Sequence, residues 1–282
     1  MVLVILAALF AAALFILFRG FDARRIPLLP AIVVNYAVAF AIACFVGRPW
    51  TVDLSLVLLP GVLVGALFMG LFFLMGRSTQ QFGVATTTVA NRMSLVITIA
   101  IAVLVFREDP GLLGWCGIGL AVIGVLLASW PTNGGRRGPW WLPFLLFLGG
   151  GATDSLLNAA QRTRTTPLTE PALSSIIFGT ATLVGLCWLL TTRERGRLAS
   201  PRVLIGGLVL GAANYASIHF LLRALARSGL QASSVFPLVN IGIILFGTAA
   251  SMVLFRERLR AVQWVGIALS VLALSLIIAA RA

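Results

Sequence analysis

Lysine is absent from this 282-residue chain, histidine occurs once, and only 10% of the residues are charged. A soluble globule of this length carries about 25% charged residues. Too little polar surface is present to cover a water-soluble sphere. Three cysteines, Cys44, Cys116 and Cys187, lie in three different apolar blocks with no neighbour at metal-ligand or redox spacing. They read as small apolar fillers, and no metal site is expected. The chain has no H-E-x-x-H pattern, and it lacks the GxxxxGK[ST] run that direct ATP drive would require. One histidine and eight acidic residues, most of them near block ends, supply no nucleophile–base pair. The chain is therefore not read as an enzyme, and no cofactor is expected.

What is present is apolar sequence in long blocks. Hydrophobic residues make up 60% of the chain and the mean hydropathy is +1.06. A helix needs roughly 20 mainly apolar residues to cross about 30 Å of hydrocarbon. Ten such blocks run over 2–18, 28–47, 55–75, 83–105, 111–130, 140–160, 171–191, 203–223, 230–255 and 261–280. Backbone groups cannot go unpaired in lipid, so each block is predicted to be a helix. Residues 2–18 lack a basic leader and run into Arg19, so they read as the first spanning helix rather than a cleaved signal. Asp109-Pro110 and Thr169-Glu170-Pro171 supply helix-entry chemistry. All 21 basic residues are arginines, scattered singly or in small groups between the blocks. That pattern flanks membrane helices, so the expected partner is a lipid bilayer, not nucleic acid.

The segment 131–139 (PTNGGRRGP) has no apolar run and divides the blocks into two sets of five, residues 1–130 and 140–282. The sets are related. Shifted by 149 positions, Phe106-Arg107-Glu108 falls on Phe255-Arg256-Glu257, Trp115 and Gly117 fall on Trp264 and Gly266, and Asn91 falls on Asn240. With a three-residue gap, Gly61 and Gly65 fall on Gly207 and Gly211. Five is odd, so the second set must begin on the opposite side of the membrane. The expected fold is an all-α membrane protein of ten transmembrane helices in two inverted five-helix repeats, an architecture suited to alternating access.

The ends of both sets carry a further signature. An apolar helix is followed by Arg-Glu, a short break, Trp-x-Gly-Ile and another apolar helix, at Arg107-Glu108 and again at Arg256-Glu257. This resembles the paired signature of EamA-type proteins in the drug/metabolite transporter superfamily, with arginine where that family usually has glycine. Gly83 to Ser94 and Val235 to Asn240 resemble the fourth helix of each repeat. The resemblance implies a ten-helix carrier of small polar metabolites, often an exporter.

Several polar residues fall inside the blocks. Arg92 sits near the expected midplane, where an arginine costs about 2.5–3.5 kcal/mol on insertion scales. It reads as an anchor for an anionic substrate group or as half of a structural ion pair. Asp154, with Asn158 one turn on, reads as the counter-charge to Arg92, as a proton carrier, or as an interhelical contact. Asn214, Tyr215 and His219 share one block; Tyr215 and His219 are spaced to share a face, and His219 is the sole histidine. Asn91 and Asn240, symmetry mates, contact substrate from two sides or bond between helices. Pro237, three residues before Asn240, frees a carbonyl and marks a candidate kink. Gly61/Gly65 and Gly207/Gly211 permit close helix contact within the fold or between protomers, so a homo-oligomer stays open.

Loops after helices 1, 3, 5, 7 and 9 hold 13 of the arginines. The positive-inside rule places them in the cytoplasm and both termini outside, whereas EamA-type proteins are usually described with both termini inside. Taken together, the sequence is read as a multi-pass protein of a bacterial inner membrane, a secondary transporter that exports a small polar or amphipathic metabolite. A translocase of lipid-linked substrate or a non-transporting scaffold subunit is the alternative.

Overall fold

The computed structural model describes residues 2–51, 53–97, 111–128, 130, 139, 141–164, 170–227 and 232–279. Among the described residues ten α-helices form: α1 Val2–Ala23, α2 Leu28–Gly47, α3 Ser55–Phe82, α4 Val84–Met93, α5 Gly111–Ala128, α6 Trp141–Arg164, α7 Glu170–Leu190, α8 Pro201–Arg227, α9 Ala232–Phe255 and α10 Ala261–Ala279. No strand occurs among the described residues. Among the described residues seven helices, α1, α2, α3, α5, α7, α8 and α9, contain a stretch long and apolar enough to cross a membrane. The chain is therefore a multi-pass helical membrane protein.

One expectation changes. The fourth block, read as one helix over 83–105, is interrupted: α4 ends at Met93, Ser94 is a turn, and helical geometry resumes at 95–97. The Ser94 hydroxyl bonds back to Asn91 O at 2.6 Å instead of leaving the ladder undisturbed. By contrast, α9 runs through position 237 without ending. The Phe106-Arg107-Glu108 and Asp109-Pro110 motifs lie outside the described residues, as does most of the 131–139 segment.

The centre of the fold is aromatic. Phe15, Phe18 and Phe21 line one face of α1 and are buried, with Phe18 edge-on to Phe72 of α3 at 5.1 Å. Tyr36 of α2 is buried beside Phe72 and donates its hydroxyl to Phe68 O at 2.9 Å. That bond satisfies a phenol that would otherwise be stranded in a dry interior.

Lipid tails are as apolar as leucine, so close packing rather than water exclusion holds membrane helices together. Glycine seams supply it here. Gly61 and Gly65 of α3 face Leu173, Ile176, Ile177 and Thr180 of α7. Gly207 and Gly211 of α8 face Ala31, Val34, Asn35 and Val38 of α2. The third seam joins α5 to α10, where Gly124 and Gly266 abut. Gly65→Ala would set a methyl 2.5 Å from Ile177 O, a backbone atom that cannot rotate away. We expect it to destabilise the protein by about 1–3 kcal/mol. Gly70→Ala, with nothing within 4 Å, should be neutral or stabilising. Thermal unfolding of both variants in detergent reads the difference; equal midpoints would mean that the seam is not tight.

Candidate functional site

The α4 break and the middle of α6 meet at the centre of the chain. Gly150 and Gly151 let α6 approach closely, because a Cβ at Gly150 would meet Ser94 and one at Gly151 would meet Ile97. Asp154 stands one turn beyond Gly150 on the same face and remains exposed. Its Oδ2 lies 3.2 Å from Ser94 Oγ, so the carboxyl faces α4. The Ser94 hydroxyl has one hydrogen and two acceptors, Asn91 O at 2.6 Å and Asp154 Oδ2 at 3.2 Å. If Asp154 is protonated, it donates to Ser94 Oγ while Ser94 donates to Asn91 O, and every group in the chain is satisfied. If it is ionised, the single serine proton must be shared.

Arg92 is half-buried in the last turn of α4, and its Nε is buried without a hydrogen-bond partner among the described residues. Its guanidinium carbon sits 5.8 Å from the centroid of the Phe15 ring, within cation–π range. Arg92 and Asp154 are near enough to couple electrostatically, but no ion pair within 4 Å joins them among the described residues. The structure thus places a cation and a carboxyl near each other without an ion pair between them among the described residues. Asn91 borders the same contact, with its Nδ2 near the Gly150 position.

The other polar residues are placed differently. Asn214 of α8 is buried and donates its amide to Asn35 Oδ1 of α2 at 3.3 Å, so it is spent between helices. Tyr215 and His219 do share a face: their rings stack at 6.1 Å. His219 also meets Phe220 edge-on, and Phe220 stacks on Phe10 of α1 at 5.4 Å. Asn240 is half-buried in α9, and no hydrogen bond joins it to Asn91 among the described residues. The Asn158 side chain lies outside the described residues.

A second polar cluster was not read from the sequence. Gly83 separates α3 from α4 with φ +89, and a Cβ there would run into the Glu257 carboxylate at 2.6 Å. Glu257 reaches this turn from the α9–α10 connection and accepts from Val84 N–H at 3.2 Å, placing its charge at the positive end of α4. Arg19 of α1 contacts Glu257 Oε1 at 3.3 Å, donates to Gln80 O at 2.8 Å and faces Asp22 at 3.7 Å. Arg256 makes the required turn with φ +52, at the position where EamA-type proteins usually carry glycine. A left-handed arginine costs roughly 1–2 kcal/mol, yet the turn forms. The Arg-Glu signature was visible in the sequence; its partner across the fold was not.

Residues 1–130 match the EamA-like transporter family. This half of the chain is EamA-like. The match bears out the resemblance carried by the fourth- and fifth-helix motifs of the first half. An uncharacterized protein of Haemophilus influenzae is 29% identical over 222 residues, spanning 75% of this chain and 72% of that protein. A solved crystal structure superposes with a TM-score of 0.57 across 97% of this chain and 95% of its own, at 14% sequence identity. At that identity the likeness speaks to fold alone. The likeness of residues 1–130 to a transporter family and the apolar helices both fit a membrane protein.

Proposed function

We propose that the chain is a secondary transporter of a small polar or amphipathic metabolite that works by alternating access, exporting its substrate as the family resemblance implies. Ten helices span a bacterial inner membrane as two inverted repeats, residues 1–130 and 140–282, joined by 131–139. The glycine seams carry this reading. One constant shift takes Ala31, Val34, Asn35 and Val38 onto Leu173, Ile176, Ile177 and Thr180, the partners of the other seam. Helix packing has the same symmetry: α1 packs on α8 and α9 as α6 packs on α3 and α4, while α4–α9 and α5–α10 pair with their own counterparts. Two halves that exchange roles in this way can exchange conformations, opening one central site to either side.

Substrate is held in the cleft between α4 and α6, with Arg92 for an anionic group and Asn91 and Asp154 beside it. Asn240, Tyr215 and His219 bound the same central region from the second half. Asp154 carries the proton. Solute counterflow in proteoliposomes, with a panel of amino acids, organic acids, nucleosides and cationic drugs, tests the transporter reading without an imposed gradient. Uptake of one solute class is the expected result. No uptake by folded protein would shift the reading to a lipid-linked substrate or a scaffold role.

Asp154→Asn mimics the neutral acid and keeps its donation to Ser94. Counterflow should persist with a flat pH profile, and accumulation driven by a proton gradient should disappear. An unchanged pH profile would remove Asp154 from proton coupling.

A further inference from the structure

A cavity of about 670 Å³ opens at the arginine-rich end of the bundle, between the α1–α2 turn and the ends of α3 and α7. It shares no lining residue with the α4–α6 contact, and its lining includes Arg25, Arg77 and Glu194 together with Phe73 and Trp188. The backbone that carries each charged residue is fixed by local structure. The end of α1 closes in a Schellman motif, with Ile26 N–H donating to Phe21 O at 2.9 Å and Arg25 N–H to Asp22 O at 3.1 Å. Arg25 occupies the left-handed position of that motif, at φ +53. Arg77 extends from α3 with its guanidinium carbon 5.6 Å from the Phe73 ring centroid, and Phe73 stands edge-on to Trp188 of α7 at 4.6 Å. Glu194 is fixed by the turn after α7, where its N–H donates to Thr192 Oγ1 at 3.3 Å.

Among the described residues, none of these three side chains makes an ion pair. Two cations, Arg25 and Arg77, therefore face one cavity with two carboxylates, Glu194 and Asp22, the latter beside Arg19. Below the mouth, the outer face of α7 offers apolar surface: Leu183 is 65% and Leu190 63% exposed. Tryptophan at this level marks the headgroup zone of a bilayer. The binder that matches this arrangement has an anionic group, a nearby primary ammonium and apolar chains.

We infer that this cavity binds the headgroup of phosphatidylethanolamine, with its phosphate between Arg25 and Arg77 and its ammonium against Glu194. Basic pockets between membrane helices take phosphate headgroups generally; the carboxylate adds a preference for an amine-bearing one. A guanidinium fork suits phosphate oxygens, and the primary ammonium supplies the N–H donors that a choline headgroup lacks. The bound lipid would tie the α1–α2 turn to α3 and α7, which belong to different halves of the chain. This binding is independent of whether the protein transports anything.

Native mass spectrometry of the full-length protein in a non-ionic detergent tests the inference. Short-chain phosphatidylethanolamine, phosphatidylglycerol and phosphatidylcholine are titrated separately, and inorganic phosphate is tried as a competitor. Phosphatidylethanolamine should bind tightest, Arg77→Gln should weaken it about tenfold, and Arg25→Gln should act in the same direction. Glu194→Gln should abolish the preference for phosphatidylethanolamine over phosphatidylglycerol while leaving lipid binding in place. Arg202→Gln, an exposed arginine on the same face that does not line the cavity, should change nothing. Unfolding midpoints separate lost binding from lost structure, and Arg77→Lys should restore part of the affinity if Arg77→Gln proves unstable. Equal binding of the three lipids would overturn the headgroup assignment. Displacement of lipid by millimolar inorganic phosphate would reduce the cavity to an anion site. Wild-type affinity in Arg25→Gln/Arg77→Gln would move the lipid elsewhere.

Discussion

Arg92→Ala should reduce counterflow of carboxylate-bearing solutes by roughly 100-fold while leaving uncharged solutes of similar shape little affected. The expectation follows from what the guanidinium lacks. Its Nε is buried and unbonded among the described residues, and the nearest stabilising feature is the Phe15 ring face at 5.8 Å. A cation–π contact at that range contributes about 0.5–2 kcal/mol, short of the desolvation cost of a buried charge. The residual demand for an anion is what a substrate carboxylate would meet. Truncating one partner of a buried charge pair costs about 2–5 kcal/mol, and every 1.4 kcal/mol is tenfold in affinity. Arg92→Lys should recover part of the loss, since an ammonium keeps the charge but not the planar fork. A purely structural arginine would lower the unfolding midpoint in Arg92→Ala and reduce uptake of charged and uncharged solutes alike. Full carboxylate uptake in the variant would sink the anchor role.

The sequence revealed an all-helical, multi-pass chain because spanning a bilayer demands apolar length, which hydropathy measures directly. It misplaced ends where polar residues continue a helix into the protein interior. The third block stops near residue 75 by hydropathy, yet α3 runs to Phe82. Its last turns carry Ser78 and Gln80, whose partners are Thr87 and Arg19. The interruption in α4 was hidden for the opposite reason. Residues 95–105 are apolar, so the block looked continuous, while the break is fixed by Ser94 contacts with Asn91 and Asp154. No local pattern could report a hydroxyl shared with a helix 60 positions away. Spacing alone did place Tyr215 beside His219. It could not show that Asn214 turns to Asn35, because an amide's partner depends on which helix is packed against it.

The Glu257 cluster leads to the remaining expectation, which concerns how the arginine-rich end of the bundle opens. Glu257 joins α1, the α3–α4 turn and the α9–α10 connection through Arg19 and Val84 N–H, and its side chain is only 13% exposed. Burial pushes its carboxyl above the ordinary glutamate range, against the lowering pull of the Arg19 guanidinium and the Val84 N–H. An open cluster would return Glu257 to water and to its ordinary value. Protonation therefore favours the closed cluster. That contribution is fully present below the ordinary glutamate value and is lost as pH rises through the raised one. A cysteine at the buried Ser78, Ser78→Cys, reports opening through its reaction with a membrane-impermeant thiol reagent. Glu257→Ala removes the acceptor and leaves Arg19 and the α4 N-terminus without it, so labelling should rise about 10- to 100-fold. Glu257→Gln keeps a neutral acceptor and should stay protected, with only the intrinsic pH dependence of the thiol. Measured against that baseline, the parent carrying Ser78→Cys should label progressively faster as pH rises. Arg19→Gln removes the charge that lowers the Glu257 value and should move the midpoint upward. Labelling in the Glu257→Ala background no faster than in the parent would mean that the cluster ties these helices together without controlling access.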